Sequence, residues 1–394
     1  MSGQKTTIVV VGGGVAGTNI ARPLSKSLDP ALYEIILINP RPYSIILPPC
    51  IRMITSDKND LKENVLVPFD RLFINDNGRF VQGEVVGIDA NARELQLKSG
   101  ETLGYDILVL GTGSKWDGPL AFPKEAAEVD TFIAHRRREF EEAKNILLIG
   151  GGAVGIGLFL SFFVFSKAVA KLKVSIELAG EIRDVWANKE ITIIHRERLL
   201  LNDAYPNKVR IAAQKQLEGR NIKVVLDNTV SEDLVPGPSK DTPVPTKSGQ
   251  TFRPDLIVRT WGARPDTEVV ASSLGMNAVT PQGHIRVKPT LQLVDHPNIF
   301  AAGDIIDWQE QKTSAKASMG HAPVVVKNII NFVTGKGANA EYKGSTEILA
   351  LTNGKDSGLL FVSLLWGILL GPFFAKQVKS RNLMVPMLRG ALGY

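Results

Sequence analysis

The sequence predicts an α/β protein built from two nested Rossmann-like dinucleotide-binding domains and a small C-terminal region. Three observations carry this. The segment IVVVGGGVAG (Ile8 to Gly17) resembles ILLIGGGAVG (Ile146 to Gly155). A second pair follows in the same order: KSGETLGYDILVLGTG (Lys98 to Gly113) resembles KSGQTFRPDLIVRTWG (Lys247 to Gly262). NIFAAGD (Asn298 to Asp304) then comes after the second copy without a glycine cluster of its own, and reads as a return to the first domain.

The first copy opens with an apolar β run that leads directly into Gly12-x-Gly14-x-x-Gly17 with Gly13 between, and then into a helix. The first glycine permits the tight turn, the second admits a pyrophosphate to the backbone, and the third lets helix and strand approach closely. The helix start offers free N–H groups and the positive end of a dipole. The next strand, Glu34 to Ile38, runs into Asn39, where an acid would ordinarily hold ribose hydroxyls. Asn39 can accept a hydrogen bond without charge assistance, or it can simply cap a turn before Pro40.

The second copy carries Gly150-x-Gly152-x-x-Gly155, and its following strand, Ile191 to Ile194, ends in His195-Arg196. An acid there favours NADH and a basic residue the 2′-phosphate of NADPH, so the pattern leans towards NADPH without excluding NADH. From Gly17 to the next strand at Ile35 is 18 positions, and from Gly155 to Ile191 is 36. The excess falls in Gly157 to Ile176, an apolar stretch absent from the first copy, which we read as an insertion. It is either a retained intron translated into the chain or a real hydrophobic extension that helps membrane contact.

The strand ending in Gly303-Asp304 can place a carboxylate on the ribitol hydroxyls of FAD, and a helix from about Ser314 to Phe332 would aim its N-terminus at the flavin. These readings give an FAD-binding domain over 1–119 and 268–335, an NAD(P)H-binding domain over 120–267, and a C-terminal region over 336–394. Val235 to Gly249, rich in Pro, Ser and Gly, reads as a surface loop.

Bulk composition agrees with a multidomain globular chain: 394 residues, 44% hydrophobic, 22% charged, net charge +6. Lys and Arg are spread along the sequence, which argues against nucleic acid. A mildly basic surface suits anionic cofactors or lipid headgroups. The single cysteine, Cys50, excludes an internal disulfide, a CxxC redox pair and a zinc cluster. The short polar start leaves no room for a signal or transit peptide, and Ser2 stands where a myristoylated chain has Gly. A cytoplasmic protein is expected, peripheral on a membrane such as the mitochondrial outer surface or a lipid droplet in one reading.

With its parts in this order, the chain resembles the FAD-dependent pyridine-nucleotide oxidoreductases. More narrowly it resembles the mitochondrion-associated apoptosis-inducing-factor homologues, the ferroptosis suppressor family, in a fungal-like form. VVGID (Val85 to Asp89), LVLGTGS, EITIIHR, IFAAGD and the late NGKDSG and KSRNLMV segments carry the resemblance over nearly all the chain outside 157–176. It implies that Gly12, Gly13, Gly14 and Gly17 hold the FAD pyrophosphate, that Arg52 contacts FAD, that Val85 meets the adenine end and Asp304 the ribitol. It implies that Glu177 sits beside the nicotinamide. Asn39, Ser2 and the insertion depart from the family pattern.

Hydride transfer needs a stacked nicotinamide and flavin more than an acid or base, so no catalytic nucleophile is expected. With one cysteine the electron acceptor must be external, and the resemblance favours a quinone. The alternative is an FAD-containing redox-signalling or cell-death effector that acts by partner binding with little turnover. A respiratory NADH dehydrogenase would share the fold and electron path. Gly358 to Ala375 is an apolar, uncharged run followed by Lys376, Lys379 and Arg381. It is expected either as a helix packed on the flavin domain or a dimer partner, or as a peripheral membrane contact over 358–381. It is short for a span, which needs about 20 apolar residues.

Overall fold

The computed structural model describes residues 5–57, 61–150, 171–231, 233–240 and 242–394. Its first sheet starts with β1 (Thr6–Val11), which leads into α1 (Val15–Ser27) and returns as β2 (Tyr33–Asn39). β1 and β2 are apolar almost throughout, as parallel strands covered on both faces must be. The sheet continues with β3 (Arg79–Gln82) and β4 (Ile107–Leu110). The second sheet contains β5 (Asn145–Gly150), β6 (Glu190–Ile194), β7 (Lys223–Val225), β8 (Gly237–Pro238) and β9 (Leu256–Thr260). Strand β10 (Ile299–Ala301) then leaves the second sheet behind and pairs in parallel with β4.

The first sheet therefore runs β10-β4-β1-β2-β3, all parallel, and the second β7-β6-β5-β9-β8, with only β8 antiparallel. In both, the strand that feeds the glycine cluster lies at the centre. This is the doubly wound arrangement, in which ligands bind at the carboxyl ends of the central strands. The two linkers between sheets cross side by side, Ser114–Lys115 pairing antiparallel with Arg264–Pro265.

Helix α2 (Leu47–Thr55) belongs to the first half, and α3 (Lys171–Val185) packs behind the second sheet. Residues 157–170 of the proposed insertion lie outside the described residues, and 171–176 form the first turns of α3. Ser175 of α3 makes a hydroxyl contact with Thr260, whose Oγ1 also donates to the Ile149 carbonyl at 2.9 Å. Ser175 thus stands against β9 at Thr260.

Residues 348–370 form a three-stranded antiparallel sheet: β11 (Ile348–Thr352), β12 (Gly358–Val362) and β13 (Ile368–Leu370). The helix expected over Gly358 to Ala375 is therefore corrected to a hairpin followed by a single turn, Pro372–Ala375. Gly367 at φ +79° supplies the reversal, and Gly371 and Pro372 stop the second strand. Among the described residues no helix is long and apolar enough to cross a membrane.

Candidate functional site

A cavity of about 750 Å³ opens at the carboxyl ends of β1, β2 and β4. That is within the range of small-molecule and cofactor sites. Gly12, Gly13 and Gly14 line it, together with Asn39, Val85 and Asp304. The sequence assigned these six to one ligand, and the fold brings them to one wall.

The glycines are spatially required. Gly12 sits at φ +106°, and a β-carbon there would lie 2.3 Å from the Gly111 carbonyl oxygen. A β-carbon on Gly17 would lie 1.9 Å from the Gly12 carbonyl oxygen. One on Gly14 would meet nothing within 4 Å, because that face looks into the cavity. Gly14 caps α1, so the free N–H groups of the first turn point to the same space. This cradle fits a pyrophosphate.

Asn39 does something the sequence did not show. Its Oδ1 accepts the Gly13 N–H at 3.0 Å, and its Nδ2 donates to the carbonyls of Arg41 at 2.8 Å and Tyr43 at 3.4 Å. The side chain is committed to shaping the glycine loop. The cation that faces the cavity beside it is Arg41, which spacing alone did not single out. Its Nη1 donates to the Pro123 carbonyl at 2.8 Å, and its Nε is buried with no partner among the described residues. Burial holds the guanidinium below its ordinary value, and nearby Tyr43 opposes this. Such a half-satisfied, desolvated guanidinium fits an anionic ligand. Of the other lining cations, Lys124 is spent on Glu84 and Lys115 on Asp266 and Glu268, while Arg264 stands exposed at the rim.

The far end is built round Asp304. Its Oδ2 accepts the Ser114 hydroxyl at 2.8 Å. Gly303, at φ +86°, gives its N–H to His321 Nδ1 at 3.1 Å. His321 therefore carries its proton on Nε2 and donates it to Glu310 at 2.8 Å. Tyr342 donates to the other Glu310 oxygen at 2.6 Å. Burial alone would raise the Glu310 carboxyl, but the bonds from His321 and Tyr342 and the Lys316 charge hold it below its usual range. The expected helix comes as Ser314–Lys316, a π-helical turn at Ala317–His321, and Ala322–Val333. Ser314 and Ala317 at its start line the cavity. A bulge of this kind is common at functional sites.

Arg52 and Glu177 are elsewhere. Arg52 is buried, donates to both oxygens of Glu181 at 2.7 and 2.9 Å, and to the Ser380 and Arg381 carbonyls at 2.8 and 3.1 Å. It is not among the cavity's lining residues. Glu177 accepts from Lys379 Nζ at 2.6 Å and from the Thr352 N–H at 3.1 Å. Both residues clamp the C-terminal region onto α3. In place of the family contact expected for Arg52, the structure offers Arg41.

In the second half, Gly150 closes β5, and Gly152 and Gly155 lie outside the described residues. His195 and Arg196 follow β6 as expected. His195 is buried, and neither ring nitrogen has a well-formed hydrogen bond among the described residues. Burial pushes its imidazolium down to about 4. The ring is neutral near pH 7, so of the His195-Arg196 pair Arg196, paired with Glu197 at 2.9 Å, is the charged member.

The unfolded chain binds a proton at His195 near pH 6.5 and the folded chain only near 4, so the native state loses stability as pH falls between these values. The full loss is roughly 3 kcal/mol. His195→Gln should remove that part of the acid sensitivity in urea titrations at pH 7 and pH 4.5. An unchanged pH dependence would show that other groups cause it.

Cys50 is buried in α2, with Sγ 3.1 Å from the Ile46 carbonyl oxygen, and burial pushes its thiol well up. A thiol held protonated is unsuited to redox exchange.

Comparison with known proteins agrees with this architecture. An FAD-dependent oxidoreductase of Flammulina velutipes is 37% identical, over 86% of this chain and 99% of its own. Ferroptosis suppressor protein 1 of Taeniopygia guttata is 30% identical, over 96% and 93%. The sulfide:quinone oxidoreductase of Aquifex aeolicus shares the fold at 17% identity, with a TM-score of 0.73 over 98% of this chain and 91% of that one. The pyridine nucleotide-disulphide oxidoreductase family matches residues 6–326. The chain belongs to this family, as an oxidoreductase with FAD as cofactor and NADH or NADPH as co-substrate.

Proposed function

We propose that the chain takes a hydride from NADPH or NADH onto FAD and passes the electrons to a quinone. One observation carries the reading: a glycine cradle, the half-satisfied Arg41 and the Asp304 carboxylate share one cavity, while the chain's single cysteine is buried and protonated. Electrons therefore leave to an acceptor outside the chain. Bound FAD supplies two-electron chemistry. The chain's own groups bind and orient: the α1 N-terminus and Arg41 hold the phosphates, and Asp304, fixed by Ser114 and the His321–Glu310 pair, holds the ribitol. Overall, NAD(P)H, one proton and quinone give NAD(P)⁺ and quinol. A quinone is favoured by the resemblance to the ferroptosis suppressor family, and one fold relative is named for a quinone substrate. Peripheral membrane contact through 358–381, where a lipid-soluble quinone would be met, belongs to this reading.

The test is an anaerobic titration of the FAD-loaded protein with NADPH and then NADH, followed by a short-chain quinone. It is run on the full chain and on one lacking 157–176. Bleaching of the flavin band by a reduced nucleotide and its return with quinone are expected. Bleaching only in the shortened chain would identify 157–176 as inactivating. Tightly bound FAD that neither nucleotide bleaches in either chain would overturn the proposal in favour of a partner-binding effector.

A further inference from the structure

Trp116 comes directly after the crossing ribbon. Ser114–Lys115 pairs with Arg264–Pro265, and the chain then runs through Trp116 into a tight turn at Gly118–Leu120. That turn is pressed on the second sheet: Gly118 sits at φ +71°, and a β-carbon there would lie 2.0 Å from the Arg259 carbonyl oxygen of β9. From this anchored stretch Trp116, Leu120 and Phe122 line the cavity, as an apolar wall.

The indole has a single polar atom, and it is a donor. Nε1 is buried, so water does not reach it, and it has no hydrogen-bond partner among the described residues. A buried indole N–H ordinarily finds an acceptor, and one left without costs stability. Arg41 Nε, a second buried donor on a residue that lines the same cavity, is in the same condition. Its guanidinium is tied to this wall through the Pro123 carbonyl at 2.8 Å. With solvent shut out and no acceptor from the described residues, the cavity against the ring is where an acceptor can come from. A few polar groups in an apolar lining are what fix the orientation of a bound cofactor.

We infer that Trp116 is a further FAD-binding residue, its indole N–H donating to an oxygen at the flavin end of the cofactor, a ribitol hydroxyl or a ring carbonyl. This rests on FAD occupying the cavity. The flavin end is selected by position. Ser114 donates to Asp304 at 2.8 Å, and Trp116 is two residues further on, a span of at most about 7 Å. The phosphates already have the α1 N–H groups and Arg41. A phenylalanine would fill the same wall, so the N–H is what tryptophan adds at this position.

The experiment titrates FAD, and separately ADP, into the full-length apoprotein of the parent and of Trp116→Phe, with binding read by flavin fluorescence for FAD and by calorimetry for ADP. One neutral hydrogen bond is removed, so FAD should bind about threefold to tenfold more weakly. ADP carries only the adenine and pyrophosphate part, and its affinity should not change. The apoprotein of the variant should be at least as stable in urea as that of the parent, because it has one unsatisfied donor fewer. Trp186→Phe makes the same change at the far end of α3, outside the cavity lining, and should leave both affinities at the parent values. Equal FAD affinity in the parent and Trp116→Phe would overturn the inference. So would an equal loss for FAD and ADP, which would move the contact to the adenine end. Should Trp116→Phe not fold, the parent decides, with heavy-nitrogen label on its five tryptophans. One indole N–H resonance should move downfield on adding FAD and stay in place on adding ADP, and the absence of that movement would overturn the inference. A parent that binds no FAD at all would instead sink the cavity assignment itself, so the two failures are distinguishable. None of these readouts needs turnover.

Discussion

Gly17→Val should cost the protein its flavin. A β-carbon at Gly17 falls 1.9 Å from the Gly12 carbonyl oxygen and 3.2 Å from Val10 Cγ1, and neither neighbour can yield, since one is backbone and the other lies in the buried centre of the sheet. Helix α1 must tilt away, and with it the N–H groups that face the cavity. Overpacking of this kind costs roughly 1–3 kcal/mol. If that cost appears mainly as loss of the phosphate-binding conformation, FAD binding weakens by about tenfold to a hundredfold. Gly14→Ala separates ligand from fold. Its methyl group meets nothing within 4 Å and needs no unusual backbone angle, yet it projects where a pyrophosphate approaches. Its stability should match the parent in urea, while its FAD dissociation constant, read by flavin fluorescence, rises. Undiminished FAD binding in both variants would place the cofactor outside the α1 cradle.

Those glycines illustrate what the sequence makes legible. A strand, a tight turn and a close helix are local requirements, and each leaves its own residue, so Gly12, Gly14 and Gly17 can be read from spacing. Asp304 was readable for a related reason: a run of small and apolar residues that ends in Gly-Asp says both that a strand stops and that a carboxylate emerges. The partners of that carboxylate were not readable. Ser114, His321 and Glu310 reach Gly303 and Asp304 across separations set by packing, with no periodicity to announce them. Asn39 lines the cavity beside Arg41, but that its side chain would be bonded to the Gly13 amide and to the Arg41 and Tyr43 carbonyls is set by the tertiary fold. The apolar run at 358–375 misled in another way. Its composition suits a helix or a strand equally, and only the left-handed Leu365 and Gly367 decide for the hairpin.

Arg52→Met should destabilise the protein by about 3–5 kcal/mol, the range for a buried ion pair that loses one member. The Arg52 and Glu181 side chains are only 10% and 4% exposed. Burial raises the Glu181 carboxyl above its ordinary value even with Arg52 beside it, so a Glu181 without its partner would have to be buried uncompensated or take up a proton. The loss extends beyond the pair. Arg52 also holds the Ser380 and Arg381 carbonyls, and neighbouring carboxylates of the same helix continue the clamp: Glu177 on Lys379, and Asp184 on Arg220 and the Lys355 N–H. Proteolysis should therefore quicken within 353–382 before the rest of the chain yields. Two comparisons give the result its meaning. The double variant Arg52→Met, Glu181→Met removes both charges and should recover most of the stability, because apolar side chains of similar length need no solvation. FAD affinity of the folded single variant, measured by fluorescence under native conditions, should stay close to that of the parent, because Arg52 points at α3 and the C-terminal segment rather than into the cavity. A variant of normal stability with much weaker FAD binding would reverse the assignment, returning Arg52 to the flavin and reducing its bond to Glu181 to a resting contact.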